Sequence, residues 1–451
     1  MNERVSALSP SSLRLRSQSQ SRNRSQGQQS RNITTMSGEN AVTMEAAHVR
    51  EDHNAVFEDL QPPSGSSMRL STLLRQTLVT SLQQANLLQS YALQQALLKV
   101  PLELFLAAFY EVDKSSRELA WTYITYQDDP EKYLKRIYAN EGFVTRVSER
   151  LLPLSCSLPP TLLVRMLEVL DVRAGQRVLE IGTDTGYTTA LLALIVGDAH
   201  QVVTIEADAA YAHQVQQTLE RVSGSGVTVV TGDGFWGWSR GGPYDRIIAL
   251  ASVPTVPLTW IEQLRRGGKL LLDLRGSLAS GFFVLEKTQR GAVGSFLPGP
   301  LHLMPLQSRA FVQFHQSGTG RFSLPAHVAS FIIPDFHRLP NKLFDDAFRW
   351  FLQWRITACQ IHCKQQLQCN SGVLMRTIFV CGPCNDDVIR FQQQAGHTYW
   401  RVDVYSTPFW QRLQQVLDEF IAIGEPTTQQ YRLEIEDMKP ILIIGPLKIP
   451  I

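Results

Sequence analysis

Three acids and a glycine turn mark the chemistry open to this chain. The run Val178-Leu179-Glu180-Ile181-Gly182-Thr183-Asp184-Thr185-Gly186-Tyr187 reads as a buried strand that ends in a tight turn and opens a helix. In open α/β sheets, ligands bind beyond the carboxyl ends of strands at such turns. Glycine there permits unusual backbone angles and close approach to a ligand. Alone, the turn is a weak signal, because nucleotide-binding folds of many kinds share it. Two later carboxylates sharpen it. Glu206 ends the second strand, 20 residues after Gly186, where a carboxylate accepts both ribose hydroxyls of an adenosine cofactor. Asp233 ends the third strand in Thr231-Gly232-Asp233-Gly234, a position suited to an adenine amino group. A dinucleotide enzyme keeps three glycines for its pyrophosphate and needs no third-strand acid. A cationic sulfonium cofactor has no phosphate to cradle, so acids around its pocket are tolerable or helpful. The opposing reading makes Glu206 and Asp233 ordinary strand-end or cap residues; the three signals together outweigh it. S-adenosylmethionine is the cofactor expected, with Glu180, Gly182, Asp184, Gly186, Tyr187, Glu206, Asp233 and Gly234 around it.

These residues need a scaffold, and the flanking pattern supplies one. A helix is expected over Leu162–Leu170, a strand over Arg177–Ile181 and a helix over Thr188–Val196. A strand Gln201–Ile205, a helix Asp208–Val222 and the strands Val227–Val230 and Tyr244–Leu250 follow. A helix Leu258–Arg265 and a strand Lys269–Leu274 complete the set. Strands alternating with short helices imply parallel pairing through right-handed crossovers. The fold class expected is α/β, a doubly wound and mostly parallel sheet with an N-terminal helical segment and a C-terminal α+β extension. Residues 68–110 read as helix, with Leu74, Leu78 and Leu82 on one face. Val100-Pro101 stops that pattern, because proline disfavours helix in the residue before it. A further helix is expected around Pro130–Tyr138. Beyond residue 300, helices are expected near Asn341–Cys359 and Pro408–Ile423, with a closing strand pair across Tyr431–Ile444.

The whole-chain balance narrows the rest. With 451 residues, 44% apolar and 19% charged, the chain is an ordinary globular one with room for two to three domains. A net charge of +2 imposes no field that calls for a nucleic-acid partner. The strongly apolar stretch near Leu191–Val196 is too short to span a bilayer, so no membrane partner is expected. The N-terminus lacks the apolar core of a secretory signal. Six cysteines in this length make no disulfide scaffold, which favours a cytoplasmic setting. We divide the chain into a disordered Ser/Arg/Gln-rich tail (1–66), the helical segment (67–150), the cofactor domain (151–300) and the extension (301–451). Arg14, Arg16, Arg22, Arg24 and Arg31 in the tail admit an RNA-binding arm or a transit peptide, but a solvated tail is the plainer reading.

The stretch from Leu162 to Gly276 resembles the protein-L-isoaspartate O-methyltransferase family. The resemblance is carried by Val178–Tyr187, Val230–Gly234, Pro243-Tyr244-Asp245-Arg246-Ile247-Ile248, Pro254–Pro257, and Leu264 to Leu271 with its Gly267-Gly268 turn. Upstream, Val100-Pro101 and Phe105 match the family's helix-ending Val-Pro…Phe. The layout from Asp129-Pro130 to Val144, with the C-terminal extension, is similar to a subgroup encoded with ribosomal-peptide maturation systems. Two departures stand out. Asp184 replaces the middle glycine of the turn. The family's Thr-Ile-Ser-Gln-Pro-like loop, aligned with Pro160 as its proline, sets Cys156, Ser157 and Leu158 opposite Thr, Ile and Ser, which displaces the expected hydroxyl by one residue to Ser157.

The resemblance implies a Rossmann-like methyltransferase that moves a methyl group from S-adenosylmethionine to the free carboxylate of an isoaspartyl residue, in a protein or peptide substrate. A carboxylate is already ionised at neutral pH, so the work is positioning: in-line approach at about 3–3.5 Å with water excluded. Ser157 and nearby backbone N–H groups are the expected holders of the substrate carboxylate. One rival is a tailoring enzyme acting on an aspartate of a ribosomally made peptide. Another is a non-catalytic scaffold whose cofactor site Asp184 has closed.

Five cysteines, Cys359, Cys363, Cys369, Cys381 and Cys384, fall close together with His362 among them. Cys381-Gly382-Pro383-Cys384 has redox or zinc spacing. Its C-x3-C partner is atypical for zinc, so incidental clustering is expected and no metal is assigned. Trp350/Trp354 and Phe409/Trp410 sit on helical patterns and read as core or interface.

Overall fold

The structure, a computed structural model, describes residues 65–112, 120–224, 226–299, 303–314, 328–335, 337–367 and 374–451. The expected tail lies outside these residues apart from 65 and 66, as do its arginines and Cys369.

Two helices open the described chain, α1 (Gly65–Gln84) and α2 (Tyr91–Lys99). The single helix expected over 68–110 is therefore broken. Asn86 takes a left-handed φ of 57°, and the Ser90 side chain accepts from the Leu93 N–H to restart the helix. Val100 ends α2 as expected. A four-stranded antiparallel sheet follows, formed by β1 (Ala108–Val112), β2 (Trp121–Thr125), β3 (Val144–Val147) and β4 (Pro153–Cys156) in the order β2-β1-β3-β4. It carries α3 (Pro130–Ile137), capped by Asp129 with Pro130 in its first turn.

The cofactor domain then runs α4 (Pro160–Leu170), β5 (Val178–Ile181), α5 (Tyr187–Val196), β6 (Val202–Glu206), α6 (Ala209–Ser223) and β7 (Thr228–Thr231). It continues through β8 (Tyr244–Val253), α7 (Leu258–Gln263) and β9 (Leu264–Arg275) to the antiparallel strands β10 (Ser280–Lys287) and β11 (Gly291–Phe296). β5 pairs in parallel with β6 on one side and β8 on the other, so the chain reverses direction across the sheet at β5. That reversal opens a crevice at the strand ends. Leu179 and Ile181 of β5 enter one core, with Trp260 of α7, while Val178 enters the other, with Leu163 of α4 and Leu191 of α5. Burial on both faces is what makes β5 read as a continuous apolar run.

The second half adds β12 (Ala329–Pro334), α8 (Arg338–Lys342), α9 (Asp346–Arg355), β13 (Gln360–Leu367), β14 (Leu374–Cys381), β15 (Val388–Gln394), β16 (Tyr399–Val404) and α10 (Thr407–Ala422). The strands form a five-stranded antiparallel sheet, β12-β16-β15-β14-β13. The helix expected over 341–359 is instead two, because the Asp345 carboxylate caps a fresh start by accepting from the N–H groups of Ala347 and Phe348. β17 (Arg432–Glu436), β18 (Lys439–Ile444) and β19 (Leu447–Pro450) leave this sheet and pair onto β11. The main sheet thus has ten strands, in the order β19-β18-β17-β11-β10-β9-β8-β5-β6-β7. Among the described residues, no helix is long and apolar enough to cross a membrane.

Candidate cofactor and substrate site

The β5–α5 turn is wound left-handed at alternate residues, with φ of 89° at Gly182, 45° at Asp184 and 84° at Gly186. Gly186 is needed for space as well as conformation, because a Cβ there would lie 2.6 Å from Val215 Cγ1 of α6. Asp184, the residue without a glycine's freedom, is oriented from the β3–β4 hairpin. Thr145 Oγ1 donates to its Oδ1 at 2.8 Å and lies 2.6 Å from Ser155 Oγ. Burial pushes the Asp184 carboxyl up, against the opposing pull of the Thr145 and Ser155 hydroxyls, the Thr185 N–H and the Arg146 charge.

Glu206 stands at the end of β6, mostly buried, with Oε1 accepting from the Asp208 N–H at 3.1 Å. Burial raises its carboxyl too, partly offset by that N–H and by Arg146. Arg146 of β3 reaches across with Nη1 3.6 Å from Glu206 Oε1, while Nη2 donates to Asp208 Oδ2. Its guanidinium lies over the Tyr211 ring at 4.6 Å. Asp208 caps α6 by accepting from the Tyr211 N–H, and that bond leads in holding its carboxyl below the usual range. Arg146 thus ties the hairpin to two acids of the cofactor domain.

Asp233 faces elsewhere than into the cavity. Its Oδ1 accepts from the Phe235 N–H at 3.0 Å. Its Oδ2 accepts from Ser308 Oγ at 2.8 Å and from the Arg309 N–H at 3.3 Å. It anchors the segment 303–309, which is also pinned upstream, where Asp273 accepts from the Leu303 N–H and Ser252 exchanges main-chain bonds with Met304 and Leu306. Gly234 beside it is packed tightly, since a Cβ would meet Ile181 Cγ2 at 2.7 Å.

Ser157 follows β4. Its Oγ accepts from the Phe143 N–H at 3.0 Å, which leaves the hydroxyl proton free to donate. Tyr187 starts α5, buried edge-on against Phe105. Glu180 is turned behind the loop, accepting from the hydroxyls of Thr189 and Thr204. Thr204 in turn lies 2.7 Å from Thr183. Complete burial pushes Glu180 up to about 7.

A cavity of about 340 Å³ gathers these groups. Gly182, Asp184, Glu206, Gly234 and Ser157 line it, with Arg146, Leu154–Leu158 and Leu303–Gln307 as walls. A smaller cavity of about 60 Å³ adjoins it, sharing Ser157 and Asp184 and adding Tyr187 with an apolar lining from α1 and α2. Glu180, Gly186 and Asp233 shape the site without lining either cavity. Arg146, Thr145, Ser155, Tyr211 and the 303–307 segment escaped sequence reasoning. Arg146, Thr145 and Ser155 come from the hairpin and residues 303–307 from a stretch without periodic pattern, while Tyr211 lies on the expected helix α6 with nothing in its spacing to single it out.

Cys381 ends β14 and Cys384 lies in the turn to β15, so the pair does not open a helix. Cys359 and Cys381 are buried thiols, pushed up by burial to about 12 and about 11. Among the described residues, no group of three or more His, Cys, Asp or Glu side chains is placed to hold a metal ion. Trp350 and Phe409 lie in the core, with Trp354 and Trp410 packed against it.

A doubly wound sheet with an acid-rich crevice at its reversal point is the architecture of S-adenosylmethionine-dependent methyltransferases. The family model described as protein-L-isoaspartate(D-aspartate) O-methyltransferase matches residues 73–309, and the chain belongs to that family. A protein-L-isoaspartate O-methyltransferase of Methanococcus aeolicus is 39% identical over 139 residues, 31% of this chain and 63% of its own length. That of Hyperthermus butylicus is 30% identical over 240 residues, 51% of this chain and 88% of its own. A solved protein-L-isoaspartate O-methyltransferase aligns with 82% of this chain and 99% of its own, at TM-score 0.47 and 19% identity.

Proposed function

We propose that the chain methylates the free α-carboxylate of isoaspartyl residues in proteins or peptides. The observation that carries this reading is the convergence of Asp184, Glu206 and Ser157 on one cavity. The cavity is in the range of ligand pockets, about 300–1,000 Å³. Its two carboxyls, Glu206 buried and Asp184 partly so, are both pushed up by desolvation and gain from a cationic ligand. When bound, S-adenosylmethionine supplies an electrophilic methyl group.

Glu206 would hold the ribose hydroxyls, and Gly182, Asp184 and Tyr187 the methionine end, with Asp184 accepting from the ammonium. Gly234 and the anchored 303–307 segment would flank the adenine, with Asp233 fixing that wall and Gly186 and Glu180 shaping the loop from behind. The Ser157 hydroxyl would donate to the substrate carboxylate, which needs no general base. Taking Pro159, the residue before the first turn of α4, as the motif's proline sets Ser155, Cys156 and Ser157 opposite Thr, Ile and Ser with no displacement. Cys156 does not compete for the methyl group, since burial and the nearby Asp184 push its thiol up to about 11 and the thiolate is the nucleophile. The cavity stays open beside Asp184, which speaks against a closed scaffold. We place the enzyme in the cytoplasm on its cysteine usage.

The test is methyl transfer to an isoaspartyl peptide and to its aspartyl twin. Transfer to the first alone is expected, and Ser157→Ala should lower kcat/KM for it about tenfold or more with cofactor affinity held. Transfer to the aspartyl twin alone would replace this reading with the tailoring one.

A further inference from the structure

We propose that the substrate peptide binds as an added strand on the open edge of β4 and is read through its main chain. This rests on the isoaspartyl reading above. β4 ends its sheet: β3 covers one edge, and among the described residues no strand covers the other. That free edge faces the chemistry, because Leu154, Ser155, Cys156 and Ser157 all line the cavity that holds Gly182, Asp184 and Glu206.

The phase of the strand shows which groups point outward. The Ser157 N–H donates to the Phe143 carbonyl at 2.8 Å, so Ser157 faces into the hairpin. Antiparallel strands alternate this direction residue by residue. Cys156, opposite Val144, therefore presents its N–H and C=O to the open edge. A separate contact turns the Leu154 carbonyl to the same side: Gln307 Nε2 reaches it from the opposite wall, at 3.4 Å. Two register shifts interrupt the hairpin, the first leaving Thr145 extra on β3 and the second leaving Leu154 extra on β4, so the direction of Leu154 is read from Gln307 and not from the alternation. Gln307 is an exposed primary amide making one long bond. A peptide unit offers the same donor and can displace it.

The chemistry of the substrate fits an edge. An isoaspartyl residue routes the main chain through its side-chain carbonyl and leaves the α-carboxylate as a short branch. Pairing along β4 carries that branch to Ser157, next in sequence after the edge. Main-chain bonds ignore the neighbouring side chains, so one edge serves many sequences. The aspartyl twin has a shorter backbone and a longer branch, which moves its carboxylate away from Ser157 at the same register.

The test is an isoaspartyl peptide N-methylated at one amide at a time on either side of the isoaspartyl residue, with kcat and KM measured at saturating S-adenosylmethionine. Removing an N–H that pairs with the edge should raise KM about tenfold or more. Amides between those positions should change little, so losses alternate along the peptide. Alanine replacement of the flanking side chains should leave KM nearly unchanged. A flat N-methyl scan, or one without alternation, overturns the strand. Larger losses from the alanine replacements than from N-methylation also overturn it. If the unmodified isoaspartyl peptide is not methylated at all, the substrate reading itself falls and the strand with it.

Discussion

Asp184→Asn separates charge from shape at the turn where this chain departs from its family's glycine. Asparagine offers the same acceptor to Thr145, which donates to Oδ1 at 2.8 Å in the parent. It also tolerates a φ of 45° about as well as aspartate does. Only the negative charge is removed. A hydrogen bond to a charged group contributes about 1.5–3 kcal/mol, so affinity for an ammonium-bearing ligand should fall roughly 10- to 150-fold. S-adenosylhomocysteine is the suitable probe, since it keeps the ammonium and lacks the sulfonium charge. Calorimetric titration as a function of pH adds a second signature. Burial raises the Asp184 carboxyl, and a cation prefers the ionised form, so parent affinity should weaken as pH falls through that raised value. The variant keeps only the shallower slope from Glu206, itself raised by burial. The sign for stability is opposite. A carboxyl raised by folding stabilises the protein at low pH and loses that contribution as pH rises through the folded value. The variant should therefore be at least as stable as the parent at mildly alkaline pH. Equal affinity in the two proteins, or an unchanged pH slope, would refute the ammonium contact.

Glu180, raised from 4.5 to about 7 by burial, should cost the fold about 3 kcal/mol as pH rises through that window. Urea unfolding of Glu180→Gln should show that slope flattened. Gly186→Ala should destabilise by about 2–4 kcal/mol, from left-handed strain and the 2.6 Å approach to Val215. Adding Val215→Ala should recover the packing share but not the strain, as chemical denaturation would read. Asp233→Ala removes a cap, worth about 1 kcal/mol, and frees Ser308 and Arg309. We expect a small drop in Tm and weaker cofactor binding; unchanged affinity would mean the 303–309 wall holds without its anchor.

The alternation from β5 to β9 was legible because each strand is an apolar run bounded by turn residues, and each helix is long enough to show its period. The acids were legible as positions, but their directions were not. Glu180 and Glu206 look alike in sequence, yet the pleat turns Glu180 toward Thr189 and Thr204 and Glu206 toward the cavity. Asp233 lies two residues beyond the end of β7, while its partners Ser308 and Arg309 lie 75 and 76 residues on. The β3–β4 hairpin was invisible because strands of four residues, half-buried throughout, carry no alternation. The breaks at Ser90 and Asp345 depend on side-chain caps, where a single residue outweighs the helical period around it.

The pairing of β11 with β17 has a consequence for how the molecule is made. Gly291 meets Glu436, and Ser295 meets Arg432, so a ribosome must add well over a hundred residues before β11 finds its neighbour. During that interval the nascent sheet ends in an unprotected row of amides and carbonyls on β11, the kind of margin along which chains stick to one another. The interval is also costly in loop closure, although that cost grows only slowly with length. β12 to β16 form their own antiparallel sheet inside the gap, shortening the effective tether before β17 arrives. A chain halted near residue 430 would carry every cavity-lining residue and still present that bare margin to other chains.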